Sequence, residues 1–191
     1  MNQIKILFIA FLVLINQAAV AKGPATETEI RTAIQYQISQ RHPNVPQGFW
    51  EGLGEGAIPV IESMYLKSVS IHEKGFLIDG LSHFSSLASG SFLEIQVADA
   101  LHDILRKKLL GAVIDVEGER SFDFVEPYLK DSDPHVRLNV AIRLKSFTQN
   151  EKIQRRLTEF SAKEKLQWVL SEFNKAPAGD GQQSLRKRKS L

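Results

Sequence analysis

Asp131 to Leu144 reads DSDPHVRLNVAIRL, and between Pro134 and Pro177 the chain holds neither glycine nor proline. Asp133 is a capping residue, and Pro134 suits the first helical position, where its missing N–H costs nothing. Val136, Val140, Ile142, Leu144 and Phe147 then recur at helical rather than strand spacing. A capped stretch of this length without a breaker restricts the C-terminal half of the chain to helices.

Four pairs extend that restriction upstream: Thr26 with Glu29, Ser70 with Glu73, Ser91 with Glu94, and Ser161 with Glu164. In each, the hydroxyl suits a first-turn N–H while the glutamate reaches back to the cap residue, so four capping boxes are predicted. Ile30, Ile34 and Ile38 stripe a first helix over 26–41, and His42 to Pro46 breaks it. Gly48 to Gly56 reads as loose chain, and Ile58, Ile61, Met64 and Tyr65 begin a new helix with Pro59 in its first turn.

A helix over 71–87 follows the Ser70 cap. Gly75 and Gly80 lie inside it, each at a cost of up to about 1 kcal/mol against alanine, which predicts close approach of a neighbouring helix. Phe92 to Leu105 is apolar around most of a helical circumference and is predicted as the central helix, with Lys107 and Lys108 in its last turn and Gly111 as a left-handed stop. Ala112 to Glu119 reads as a connector. Phe122 to Lys130 and Pro134 to Phe147 read as a helix pair joined by Asp131-Ser132-Asp133, followed by helices near 151–160 and 162–173.

The chain has 191 residues, 43% of them apolar, enough for one domain to bury a core without staples. No cysteine is present, which excludes disulfides, thiolate nucleophiles and cysteine metal sites. Residues 1–21 read as a secretory signal peptide: Lys5 starts it, Ile6 to Ile15 are apolar, and Ala19-Val20-Ala21 is a small-x-small cleavage site. Ten apolar residues cannot cross a hydrocarbon core that needs about 20, so cleavage after Ala21 and a periplasmic or secreted destination are expected. The domain is then 22–175, with a disordered basic tail over 176–191. From Lys22 to Ser184 there are 19 basic against 22 acidic side chains, not the balance of a nucleic-acid-binding surface.

Sliding the chain on itself by 63 residues brings Leu66, Lys67, His72, Leu81 and Phe84 onto Leu129, Lys130, His135, Leu144 and Phe147. A helix-turn-helix unit therefore recurs, with another helical unit between the copies. The segment EPYLKDSDPHVRLNVAIRL resembles a HEAT-like repeat, and LGEGAIPVIESMYLKSVSIHEKGFLIDGL resembles a second copy with Ser70-Ile71 where Asp-Pro is expected. The resemblance implies an all-α fold, a short α-solenoid of antiparallel hairpins, about three of them plus an N-terminal helix. It also implies that Asp131 or Asp133 pairs with Arg137 between adjacent units, and that the curved surface binds a protein without chemistry.

Candidate chemistry is sparse. Asp99, His102 and Asp103 lie within about one helical turn and are read as a solvated stripe rather than a metal or acid–base site. Ser82 lies in Gly80-Leu81-Ser82-His83, which lacks the second glycine of a nucleophile elbow. The expectation is a non-enzymatic, cofactor-free module for an unknown protein partner in the periplasm or cell envelope. A second reading is an adaptor in which Arg186, Lys187, Arg188 and Lys189 contact an anionic membrane or cell-wall surface; a third is a hydrolase or metal-binding protein.

Overall fold

The computed structural model describes residues 25–40, 45–46 and 48–176, and every regular element among them is helical. The predicted signal segment 1–21 and the basic residues 186–189 lie outside the described residues. The chain divides into two compact units, residues 1–60 and 61–191, with the boundary inside one helix.

In the first unit, α1 is Glu27–Ile38, opened by the predicted capping box. Glu29 N donates to Thr26 Oγ1 at 3.3 Å, and Thr26 N donates to Glu29 Oε2 at 2.9 Å. Ile30 and Ile34 are buried, but Gln37 rather than Ile38 completes the buried stripe. The segment read as loose contains a short helix, α2 (Phe49–Leu53), entered through Gly48 at φ 76°. Its Trp50 is buried with its ring edge-on to Phe49 at 5.0 Å.

The boundary falls within α3 (Ala57–Lys67). The second unit continues with α4 (Ile71–Leu81), α5 (Leu87–Ala98) and α6 (Asp103–Glu117). An irregular helical stretch follows: a 3-10 turn at Gly118–Ser121, α7 (Phe122–Val125) and a 3-10 helix at Glu126–Lys130. Then come α8 (Pro134–Leu144) with a 3-10 turn at Lys145–Phe147, α9 (Glu151–Lys163) and α10 (Gln167–Lys175).

The predicted central helix is two helices. α5 ends at Ala98, α6 begins at Asp103, and Leu101 in the turn between them is 94% exposed. The core is supplied instead by α6 where it packs against α4, α5 and α8: Leu109 and Leu110 are buried there, and so are Ala112, Val113, Ile114 and Val116 of the segment that reads as a connector. Burial at that junction outweighs the modest helical cost of β-branched residues. Gly111 is not a stop. It lies inside α6 beneath the Arg143 guanidinium, where a Cβ would come within 2.8 Å of Nε. The positive-φ ending is made by Gly118, at φ 62°.

Two capping boxes are also displaced. α5 is capped by Ser86, whose hydroxyl accepts from Ala88 N at 3.2 Å, and Ser91 lies exposed inside the helix. Ser161 is inside α9, and α10 starts after Leu166 without a side-chain cap. At Ser70 half of the box forms: its hydroxyl accepts from Glu73 N, while the Glu73 carboxylate accepts from Ser68 Oγ at 2.7 Å. α4 stops at Leu81 rather than near Leu87. Gly75 meets the close neighbour its position predicts, with the aliphatic stem of Lys108 at van der Waals distance.

Helices α4, α6, α8 and α10 begin at Ile71, Asp103, Pro134 and Gln167, intervals of 32, 31 and 33 residues. The first and third are 63 apart, the offset at which the sequence aligns with itself. Each of these helices packs on the next. For α6 and α8 the direction is parallel: Asn139 Nδ2 donates to Lys107 O at 3.0 Å, and Arg143 Nη1 lies 2.5 Å from Asp115 Oδ1 one turn and more further along both.

Candidate functional site

The turn before α8 is held from inside and outside. Asp133 caps the helix, accepting from His135 N at 2.8 Å, and Pro134 takes the first position as the sequence predicts. Asp131 Oδ1 accepts from Asp133 N at 2.8 Å and from Arg106 Nη2 of α6 at 3.2 Å. Arg106 also pairs with Asp103 at 2.7 Å.

Arg137 does not pair with the carboxylate of Asp131 or Asp133. Its Nη1 donates to the backbone carbonyls of Asp131 and Ser132 at 2.8 and 3.2 Å. Its Nε and Nη2 donate to Glu164 Oε2 and Oε1 at 2.8 and 3.0 Å, a bidentate pair. Three turn carbonyl and carboxylate groups thus converge on one guanidinium, and the partner in the next unit is the residue read as a capping glutamate. Glu164 Oε1 also accepts from the N–H groups of Lys165 and Leu166, both at 3.0 Å.

The brace repeats. Arg106 and Arg137 are each the fourth residue of their helix, and Asp131 and Glu164 each stand three residues before the next helix in the row. An arginine near the start of α6 holds the turn before α8, and one near the start of α8 holds the turn before α10. That register is present in the sequence, but the Ser161–Glu164 spacing also fits a capping box and masks it. The Glu164 side chain is only 3% exposed. The hydrogen bonds from Arg137, opposed by burial, hold its carboxyl below the usual carboxylate range, and the same bonds raise Arg137 above its usual value.

Beside this brace lies a cleft of about 300 Å³ between residues 126–131 and the stretch 156–166. Leu129, Phe160 and Leu166 supply its apolar lining. Arg156 closes one side, with Nε 2.8 Å from Glu126 Oε1 and Nη1 2.9 Å from Glu159 Oε2. Lys130, Lys163 and Lys165 stand around it, all exposed. No signal in the sequence marked this cleft, because its walls are brought together by packing of segments about 30 residues apart.

A second surface feature is apolar. Val69 is fully exposed and Leu101 is 94% exposed, each two residues before the start of α4 or α6; Leu66 and Ile104 beside those turns are also largely exposed. Trp168 at the start of α10 is half-exposed and stacks at a tilt against His135, with ring centroids 4.9 Å apart.

The chemical candidates are placed as follows. Asp99 follows the end of α5, His102 precedes α6, and Asp103 is engaged by Arg106. Among the described residues no three His, Asp or Glu side chains gather as a metal site. Ser82 Oγ donates to Asp79 O at 2.7 Å, the local bond of a residue ending a helix. No helix of the described residues is long and apolar enough to cross a membrane. No family model, no curated protein and no solved structure matches the chain.

Proposed function

We propose that the chain is an exported, non-enzymatic interaction module, a short HEAT-like α-solenoid whose exposed surface receives a protein partner in the periplasm or cell envelope. The regular intervals of α4, α6, α8 and α10 and the repeated arginine braces support the solenoid part of this reading.

The observation that carries the binding part is the exposure of Val69 and Leu101 at successive turns. Large apolar side chains exposed beside two turns offer area that a partner can cover, and burying one such side chain contributes about 1.5–3 kcal/mol. Crosslinking and affinity capture from an envelope fraction test the proposal. A captured partner that is lost with Val69→Ser and Leu101→Ser, at unchanged melting temperature, supports it; equal capture by wild type and the double variant sinks it.

A further inference from the structure

We propose that the cleft beside the Arg137–Glu164 brace binds an extended peptide presenting one apolar side chain flanked by acidic ones. This rests on the interaction-module reading and names the chemistry of the partner at a site separate from the exposed turns. At about 300 Å³ the cleft is at the lower end of ligand-pocket volumes, sized for a side chain and its neighbours rather than for a folded surface. Leu129, Phe160 and Leu166 line it for an apolar anchor.

The charges around it are unequal in commitment. Glu126 and Glu159 pair with Arg156, Glu164 with Arg137, and Asp131 with Arg106, so each lining carboxylate already has a guanidinium partner. Lys130, Lys163 and Lys165 are exposed, and the ion pairs of the described residues include none of them. Arg156 is shared by two of the lining carboxylates and Lys163 also acts electrostatically on Glu159, so the four lining carboxylates face five cations. The surplus positive charge is carried by exposed ammonium groups around an apolar lining, complementary to carboxylates beside an apolar residue. A free phosphate or similar small anion fits less well. Arg137, the guanidinium most suited to chelate it, spends its donors on Glu164 and two carbonyls, and the apolar lining would be left uncovered.

The test presents the full chain to a random decapeptide display library. The expected result is enrichment of Asp or Glu on both sides of an aromatic or aliphatic residue. A synthetic peptide of the selected sequence should bind roughly tenfold or more weakly to the variant carrying Lys130→Gln, Lys163→Gln and Lys165→Gln, and to Leu166→Gln. All four positions are exposed, so the circular dichroism melt should not change. Enrichment of basic or uncharged peptides, or affinity insensitive to the lysine substitutions, overturns the proposal. So does lysine-dependent binding to phosphatidylglycerol vesicles with no peptide selected, which assigns the cleft to a lipid surface. Envelope partner capture that survives the triple substitution but is lost with Val69→Ser and Leu101→Ser overturns the cleft assignment alone; absence of any captured partner with a peptide still selected overturns the broader reading alone.

Discussion

Arg137 and Glu164, 27 residues apart in sequence, form a bidentate ion pair in which the carboxylate is almost wholly buried and also accepts two backbone N–H groups. The pair joins the start of α8 to the turn before α10, and through the carbonyls of Asp131 and Ser132 it also holds the turn before α8. One side chain therefore fixes two consecutive turns.

Removing that side chain leaves a buried carboxylate without its partner. Arg137→Ala is expected to destabilise the fold by about 3–5 kcal/mol, the range for breaking a buried pair from one side. Arg137→Lys restores the charge but not the two-pronged geometry and should fall between wild type and alanine. Urea denaturation monitored by circular dichroism checks both, and an alanine cost below about 1 kcal/mol would remove the brace from the account.

The same pair sets an acid dependence. Glu164 titrates lower in the folded state than unfolded because Arg137 and backbone N–H groups bond its charged form. Its contribution is thus fully present above the ordinary glutamate value of about 4.3 and is lost as pH falls through the lower folded-state value. The difference in unfolding free energy between wild type and Glu164→Gln should be largest near neutrality and shrink on acidification below pH 4.3. A difference that grows on acidification would contradict the sign.

Gly118 should be more sensitive to alanine than Gly111. At Gly118 the positive φ penalises any side chain, and a cost of about 1 kcal/mol is expected. At Gly111 the helix interior favours alanine by up to about 1 kcal/mol, offset by displacement of the flexible Arg143 end, so the net change should be small. Thermal melts of the two single variants decide it; a larger loss at Gly111 would restore the left-handed stop that the sequence suggests there.

Leu101 and Leu109 separate the predicted from the observed central helix. Leu109 is fully buried, and Leu109→Ala should cost about 2–5 kcal/mol. Leu101→Ala should change stability by less than about 0.5 kcal/mol, since the side chain is already in water. Similar costs at both positions would return Leu101 to the core.

Ser89 of α5 is fully buried, and its hydroxyl has no hydrogen-bond partner. Ser89→Ala removes the cost of burying that group and improves helix propensity, so a gain of about 1 kcal/mol is expected in the midpoint of chemical unfolding. A loss of stability would point to a partner for the hydroxyl.

The sequence by itself determined that the described chain is helical, that Thr26 caps α1, and that Asp133 and Pro134 open α8. These features depend on groups within one turn of each other, and local spacing carries them. Tertiary structure alone decided that α5 and α6 part at Asp99 to His102, that Gly111 continues a helix, and that Glu164 serves Arg137 instead of a cap. The cap pattern at Ser161 and Glu164 satisfies the local rule yet loses, because the part-buried Arg137 guanidinium offers Glu164 two charge-assisted bonds where the cap would offer one to a neutral N–H. The cleft follows from the same cause: its walls meet only when segments about 30 residues apart are packed, and no local spacing encodes that meeting.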